Sequence, residues 1–187
     1  MGPVAVLDAC VLYSAPVRDL LIRLAQAELF RARWSELILD ECFAAIATTR
    51  PELSASALAR TRRLVGEAVR GCLVADMVPL AAGVELPDPK DRHVVATALQ
   101  CRVKLIVTFN ERDFPVAALQ PLGIKAMHPD AFALRLLAGN SVAFCATVNR
   151  QINDLRNPPV TLDELLETFA KCGLGQLAVE LRRAGPT

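Results

Sequence analysis

Asp8 closes the apolar run Pro3-Val4-Ala5-Val6-Leu7, and Thr108-Phe109-Asn110-Glu111-Arg112-Asp113 follows a second run, Val103-Lys104-Leu105-Ile106-Val107. Short apolar runs of this kind read as strands buried on both faces of a parallel sheet. Ligands of open α/β sheets sit beyond the carboxyl ends of such strands. Asp8, Asn110 and Asp113 therefore face one crevice. Asp91 shares a helical face with Val94, Val95, Ala98 and Leu99, and Glu41 is flanked on its own stripe by Leu37, Ile38, Ala44 and Ala45. A carboxylate beside an apolar face is costly unless it is paired or bound to metal. Acids gathered in one crevice cannot all stay ionised unless cations neutralise them. Oxygen donors suit Mg²⁺ or Mn²⁺, ions that activate water and stabilise a departing alkoxide at a phosphodiester. Taken singly, each acid reads equally well as a helix cap or a solvated charge, and Glu36 and Asp40 put a polar face close to Glu41.

Asp88-Pro89-Lys90-Asp91 is itself a helix start. Asp88 suits the N-cap, Pro89 the first helical position and Asp91 the third position after the cap. Both acids thus have a purely structural reading beside the chemical one. No Ser/His/Asp nucleophile set, P-loop or G-x-G-x-x-G fingerprint competes with metal-assisted hydrolysis of a phosphodiester.

Composition narrows the class. The chain of 187 residues is 53% hydrophobic and 22% charged, with a net charge of +1. It has enough apolar material for a sizeable core and no global basic field, so any polyanion site is local. No apolar run approaches the roughly 18 residues that span a bilayer. The N-terminus lacks a signal-peptide pattern, and Gly2 lacks the Ser or Thr that a myristoylation motif needs. Six scattered cysteines with no C-x-x-C pair suit free thiols in a reducing cytoplasm, and two histidines make a Cys/His zinc site a poor expectation.

The elements that must hold the acids follow from pattern. Helices are expected from Ser14 through Ala25, from Ser35 to about Thr48, from Ser54 to Arg70, and from Asp88 to Leu99. Strands are expected at 3–7, 72–80, 103–107 and 123–127, the last at an edge. Strands alternating with helices imply a mainly parallel sheet covered on both faces. After His128-Pro129 only helices are expected, at 132–137, 142–155 and 161–172. They are broken at Gly139-Asn140 and Asn157-Pro158-Pro159, with a capping box at Thr161 and Glu164. The expected division is a domain of residues 1–128 and a helical extension of 129–187, docked on the sheet domain or on a partner. A helix-turn-helix reading of the tail meets Asp163, Glu164 and Glu167, which repel phosphate.

These motifs resemble the PIN-domain ribonucleases: Val-Leu-Asp8, Leu-Asp-Glu41, Asp91-Arg-His-Val-Val-Ala-Thr-Ala and Val-Thr108-Phe-Asn110-Glu-Arg-Asp113-Phe. Their nearest group is the VapC-type toxins of bacterial toxin–antitoxin pairs. The resemblance covers about residues 3–128. It implies a three-layer α/β/α fold and Mg²⁺- or Mn²⁺-dependent cleavage of RNA. It also implies a cognate antitoxin, a homodimer, and an acidic quartet of Asp8, Glu41, Asp91 and Asp113 supported by Thr108 and Asn110. Asp88 is an extra acid that either reaches the metal or only caps its helix. Arg60, Arg62, Arg63 and Arg70, with Arg31, Arg33 and Arg50, are candidate RNA-phosphate contacts or simply a solvated face. Trp34 either stacks on a base or packs. Three further readings stand beside the toxin. One is an RNA-processing PIN nuclease without an antitoxin, and another is a non-catalytic PIN-like RNA- or partner-binding module. The third is a haloacid-dehalogenase-like phosphatase, which needs an acid where Cys10 stands.

Overall fold

The structure, a computed structural model, describes residues 2–76, 78–156 and 158–185. Its centre is β1 (Val4–Leu7), flanked by β2 (Arg31–Ser35) and β4 (Leu105–Val107), with β3 (Leu73–Val74) and β5 (Lys125–Met127) at the edges. All pairs are parallel, in the order β3-β2-β1-β4-β5. The pairing Leu7↔Val107 decides the chemistry, because it sets Asp8 and Thr108 beside one another at the carboxyl end of the two central strands. The Asp8 N–H donates to the Val107 carbonyl (3.1 Å), and the Thr108 N–H donates to Met127 (3.1 Å). Ala5, Val6, Leu7, Ile106 and Val107 are buried, as expected of strands covered on both faces.

Helix α1 (Ala9–Tyr13) packs on both α2 (Ala15–Gln26) and α3 (Glu36–Thr49), with α4 (Ala55–Glu67) against α3. α5 (Arg92–Gln100) runs along β2, β1 and β4, and the short α6 (Val116–Leu119) leads to β5. The result is the three-layer α/β/α sandwich expected from the sequence. Ser35 caps α3 by accepting the Ile38 N–H, and Ser54 caps α4 by accepting that of Ala57. Residues Val94 to Ala98 of α5 are all buried, so this helix is enclosed nearly all round.

Two expectations about the sheet change. Arg31-Ala32-Arg33-Trp34-Ser35 is an inner strand that the sequence pattern does not announce. Its arginines interrupt the apolar run, while Ala32, Trp34 and Ser35 are buried. Trp34 is fully enclosed, so it packs and does not stack on an exposed base. The strand expected at 72–80 shrinks to Leu73–Val74, and Val78–Ala81 forms a 3₁₀ turn. Met77, within that stretch, lies outside the described residues.

Among its described residues the C-terminal region has four helices, not three: α7 (Pro129–Gly139), α8 (Ser141–Asp154), α9 (Leu162–Lys171) and α10 (Gly175–Ala184). The unforeseen α10 carries its buried face on Leu177, Ala178 and Leu181. Asn140 caps α8, and the capping box at Thr161 and Glu164 is present. Of the expected turn at Asn157-Pro158-Pro159, Asn157 lies outside the described residues. The region shares the core of the sheet layers. Phe132 meets Phe30 edge-on with ring centroids 5.0 Å apart, α8 packs against α2, and Arg23 pairs with Asp154 at 2.6 Å. Among the described residues no single helix is long and apolar enough to cross a membrane.

Candidate active site

Asp8 is the buried pivot of the carboxyl-end crevice, with 5% of its surface exposed. Its two oxygens have separate duties. Oδ1 accepts the Ala9 N–H (2.7 Å) and so caps α1, while Oδ2 accepts the Thr108 hydroxyl (2.7 Å) and the Cys10 thiol (3.1 Å). Thr108, fully buried, accepts in turn the backbone N–H of Asn110 (2.9 Å). Asn110 therefore supports the site through its backbone, and its side chain is exposed. Burial raises the Asp8 carboxyl above its usual range and its three hydrogen bonds oppose this, while the charge of Glu41 adds to the rise. Burial, followed by the charge of Asp8, pushes the Cys10 thiol up to about 12. It therefore remains a protonated donor.

Thr108→Val would leave a buried carboxylate oxygen short of a donor and the Asn110 N–H without its acceptor. We expect a loss of about 1–2 kcal/mol, the cost of a buried polar group left unpaired. A urea titration checks this, and an unchanged midpoint would contradict it.

The other expected acids surround the pivot. Asp91 is half-buried, and its carboxyl is raised to about 7. Desolvation is the main cause, followed by the charges of Asp8, Glu41, Asp113 and Asp88. The other four acids thus all act on Asp91 at this end of the sheet, and Glu41 acts on Asp8 as well. Asp88 accepts the Lys90 N–H (2.9 Å) and caps a 3₁₀ turn, Pro89–Asp91, that leads into α5. The helix-start reading holds for Asp88. Asp91 makes no capping hydrogen bond, so its carboxylate is free for the crevice. Glu41 is exposed on α3, and Asp113 ends a 3₁₀ turn, Glu111–Asp113, after β4.

Two contributors carry no pattern of their own. One is Cys10, two residues past Asp8. The other is His93, whose Nε2 stands 3.1 Å from a Glu41 oxygen, at ion-pair distance without hydrogen-bond alignment. His93 Nδ1 lies 2.6 Å from the Lys90 carbonyl, which requires a proton on that nitrogen. Burial lowers the basicity of the ring, but the Glu41 and Lys90 contacts outweigh it, and the net shift is upward. Their only sequence signal is a position two residues after an acid.

No Lys or Arg among the described residues lies within ion-pair distance of Asp8, Glu41, Asp91 or Asp113. The donors are all carboxylate oxygens, which fits a small hard cation in charge and kind. Among the described residues no three metal-ligating side chains stand close enough to form a ready cage. Mg²⁺ does not require one, since it keeps several waters and takes only one or two carboxylates directly.

A cleft of 940 Å³ opens from the acids, bounded by Glu41 and by Asp88 to His93, with Leu37, Val78 and Pro79 as an apolar wall. The arginines sort by partner. Arg62 is tied to Glu36 and Asp40 (2.6 Å to the latter), Arg63 to Glu67 (2.9 Å) and Arg50 to Glu52. Arg60 and Arg70 are exposed and carry no carboxylate partner among the described residues. Arg31, Arg33 and Arg70 line a separate concavity of 480 Å³ that also holds Glu28. Arg31 pairs with Val4 at the start of β1, so this concavity lies at the amino end of the strands, away from the acids.

Comparison with known proteins identifies the family of the fold. Residues 4–112 match the PIN domain, and residues 129–183 match the VapC50 C-terminal domain. A curated protein of Mycobacterium tuberculosis (strain ATCC 25618 / H37Rv), named "Putative ribonuclease VapC50", is 39% identical over 98 residues. That match covers 52% of this chain and 57% of the relative, so the chain spans little more than half of the curated protein it resembles. No solved structure matches. The matched family and the parallel α/β/α sandwich agree, and the chain belongs to the PIN-domain family, with a VapC50-type helical region following the PIN domain.

Proposed function

We propose that this chain is an endoribonuclease dependent on Mg²⁺ or Mn²⁺ and the toxin of a type II toxin–antitoxin pair. The observation that carries the reading is the gathering of four carboxylates at the end of a parallel sheet, with no Lys or Arg paired to them among the described residues. One of them, Asp91, has its carboxyl raised to about 7 by burial and then by the charges of the neighbouring acids. Asp8, Glu41, Asp91 and Asp113 would hold the ion. It would supply an activated water and stabilise the leaving alkoxide of the RNA strand.

The chain's own residues do the positioning. Thr108 and Cys10 fix the orientation of Asp8, and Asp88 starts the turn that aims Asp91. His93 stands beside Glu41 and offsets part of its charge. The cleft gives an unpaired strand room beside the acids, and its apolar wall of Leu37, Val78 and Pro79 suits the face of a base. The division at residue 128, the free thiols of a cytoplasmic protein and a homodimeric assembly belong to the same reading.

The decisive experiment is cleavage of RNA by the purified protein. Activity should vanish in EDTA and return with Mn²⁺. Cleavage that survives EDTA overturns the metal reading, and absence of cleavage under all metals favours a non-catalytic binding module. Co-purification with the product of a small neighbouring reading frame that carries a DNA-binding pattern tests the toxin assignment.

For RNA contact, exposed Arg60 is free where carboxylates already occupy Arg62 and Arg63, while Arg70 lines the concavity at the opposite end of the sheet. Arg60→Gln is expected to raise KM about 3-fold, and Arg70→Gln to leave it unchanged. The Arg60 substitution should also flatten the salt dependence of binding by about one unit of log–log slope for each phosphate no longer neutralised. Steady-state kinetics across a salt series measures both. A KM for Arg60→Gln equal to that of the unaltered protein would return Arg60 to the solvated face.

A further inference from the structure

Phe109, one residue past Thr108, links the acidic pivot to the C-terminal helices. Its backbone N–H donates to Cys10 Sγ (3.3 Å), and the Cys10 thiol donates to Asp8 Oδ2 (3.1 Å). Its ring meets the His128 ring edge-on, with centroids 5.1 Å apart. On another side stands Gly173, in the turn between α9 and α10. A Cβ at Gly173 would lie 2.8 Å from Phe109 Cε1, inside van der Waals contact. Its φ of +89° independently selects glycine there.

The two residues that grip the ring are themselves joined. His128 caps α7 by accepting the Asp130 N–H (3.2 Å), and the Asp130 carboxylate accepts the N–H groups of Gln176 and Leu177 (2.9 Å each) at the start of α10. The cap of α7 and the α9–α10 turn therefore form one rigid jaw, and Phe109 is held in it.

We propose that Phe109 is a positioning residue through which the C-terminal helices set the orientation of the Asp8 carboxylate. Asp8 and Cys10 sit at the end of β1, whereas Thr108 and Phe109 sit at the end of β4. The only side-chain hydrogen bonds joining the two ends here are those of Asp8, Cys10 and Thr108 among the described residues. With its ring released from this jaw, the backbone at Phe109 would be free to shift and carry its N–H away from Cys10. The thiol would then lose its acceptor role and Asp8 a fixed donor. A misplacement of about 1 Å at a reacting group is enough to cost about 10²-fold in rate. The helical region is on this account part of the active site's support as well as of the core. The inference rests on the nuclease reading for its effect on catalysis, but the coupling itself does not.

The test uses the full chain with Phe109→Leu, Gly173→Ala, Cys10→Ala and Cys10→Ser. Phe109→Leu and Gly173→Ala are each expected to lower kcat about 10–100-fold, with KM for RNA changed by less than about 3-fold. Cys10→Ser, which keeps a donor and an acceptor, should recover most of what Cys10→Ala loses. The double variant Gly173→Ala with Cys10→Ala should be no slower than the worse single one, since both act through one link. Amide hydrogen exchange gives a reading independent of activity. The N–H groups of Ala9 and Asn110, held by Asp8 and Thr108, should exchange at least about 10-fold faster in Gly173→Ala and Phe109→Leu, while α2 and α5 stay protected.

Unchanged kcat and unchanged exchange at Ala9 and Asn110, with only a lower Tm, would overturn the proposal and leave Phe109 a packing residue. Additive effects in the double variant would overturn the route through Cys10. If the unaltered protein neither cleaves RNA nor binds Mn²⁺, the nuclease reading fails, and the exchange rates alone decide the coupling. Should Gly173→Ala not fold, Phe109→Leu gives the same readings without the backbone strain.

Discussion

Asp8→Asn is expected to reduce metal-dependent RNA cleavage by at least about 10²-fold, the scale on which enzymes lose rate when one preorganised charged or polar group is removed from the reacting centre. The substitution is close to isosteric. Asn keeps an oxygen that can accept the Ala9 N–H, so the cap of α1 survives, and Asn is itself among the preferred N-cap residues. On the other side an amide N–H₂ replaces the oxygen that received the Thr108 and Cys10 donors, and the Thr108 hydroxyl can rotate to accept instead. A buried charge with only partial compensation also disappears, which offsets the weakened hydrogen bonds. The Tm should therefore stay within about 4 °C of the parent, equivalent to about 1–2 kcal/mol for a chain of this size. Loss of cleavage with an intact melting transition supports Asp8 as a metal-holding acid. Undiminished cleavage by Asp8→Asn would sink the assignment of the site. Collapse of the fold would shift the question to Asp113→Asn, which lies on a surface turn and caps nothing.

Asp91→Asn should make the metal-free protein more stable at pH 8. The displacement of this carboxyl from 3.8 to about 7 corresponds to about 4 kcal/mol, and solvent screening at a half-buried site leaves about half of that. A rise of about 4–8 °C in Tm follows. No helix cap is lost, because Asp91 makes no capping hydrogen bond and Asp88 starts the turn.

The sign follows from linkage. The unfolded chain releases the Asp91 proton near 3.8, whereas the folded chain keeps it until about 7. The group's stability contribution is therefore complete below 3.8 and falls away as pH rises to about 7. His93 acts in the same direction. Its folded-state affinity for a proton is raised, so its contribution is complete below the ordinary histidine range and is lost as pH climbs through the raised value. Wild type and Asp91→Asn should thus melt together near pH 4 and separate progressively up to pH 7–8. Differential scanning calorimetry across that range in EDTA checks the prediction. A large loss of stability in Asp91→Asn would mean that the carboxylate holds the fold together and is not crowded by its neighbours. Added Mn²⁺ should stabilise the wild type more than the variant, since a ligand that binds only the folded state raises its stability by mass action.

The residues legible in the sequence are those whose environment is fixed by their near neighbours. β1 and β4 are short apolar runs, so their burial could be inferred without knowing what covers them. Asp8 and Asp113 could be placed because a strand's end is also the sheet's end. Asp88-Pro89 announced a helix start through local geometry, and Ser35, Ser54 and the Thr161–Glu164 pair announced theirs in the same way.

What the tertiary structure alone decided depends on partners far along the chain. Arg31 to Ser35 is a strand because β1 and β3 lie on either side of it, whatever its own composition suggests. Arg62 reads as a candidate RNA contact in the sequence, but α3 brings Glu36 and Asp40 to it. Asp8 and Thr108 are 100 residues apart, and only the register of β1 on β4 puts a hydroxyl on that carboxylate. The approach of Gly173 to Phe109 spans 64 positions and connects a region read from sequence only as more helices. Local pattern identifies which groups would be costly to bury alone, but their partners come from the packing of distant elements.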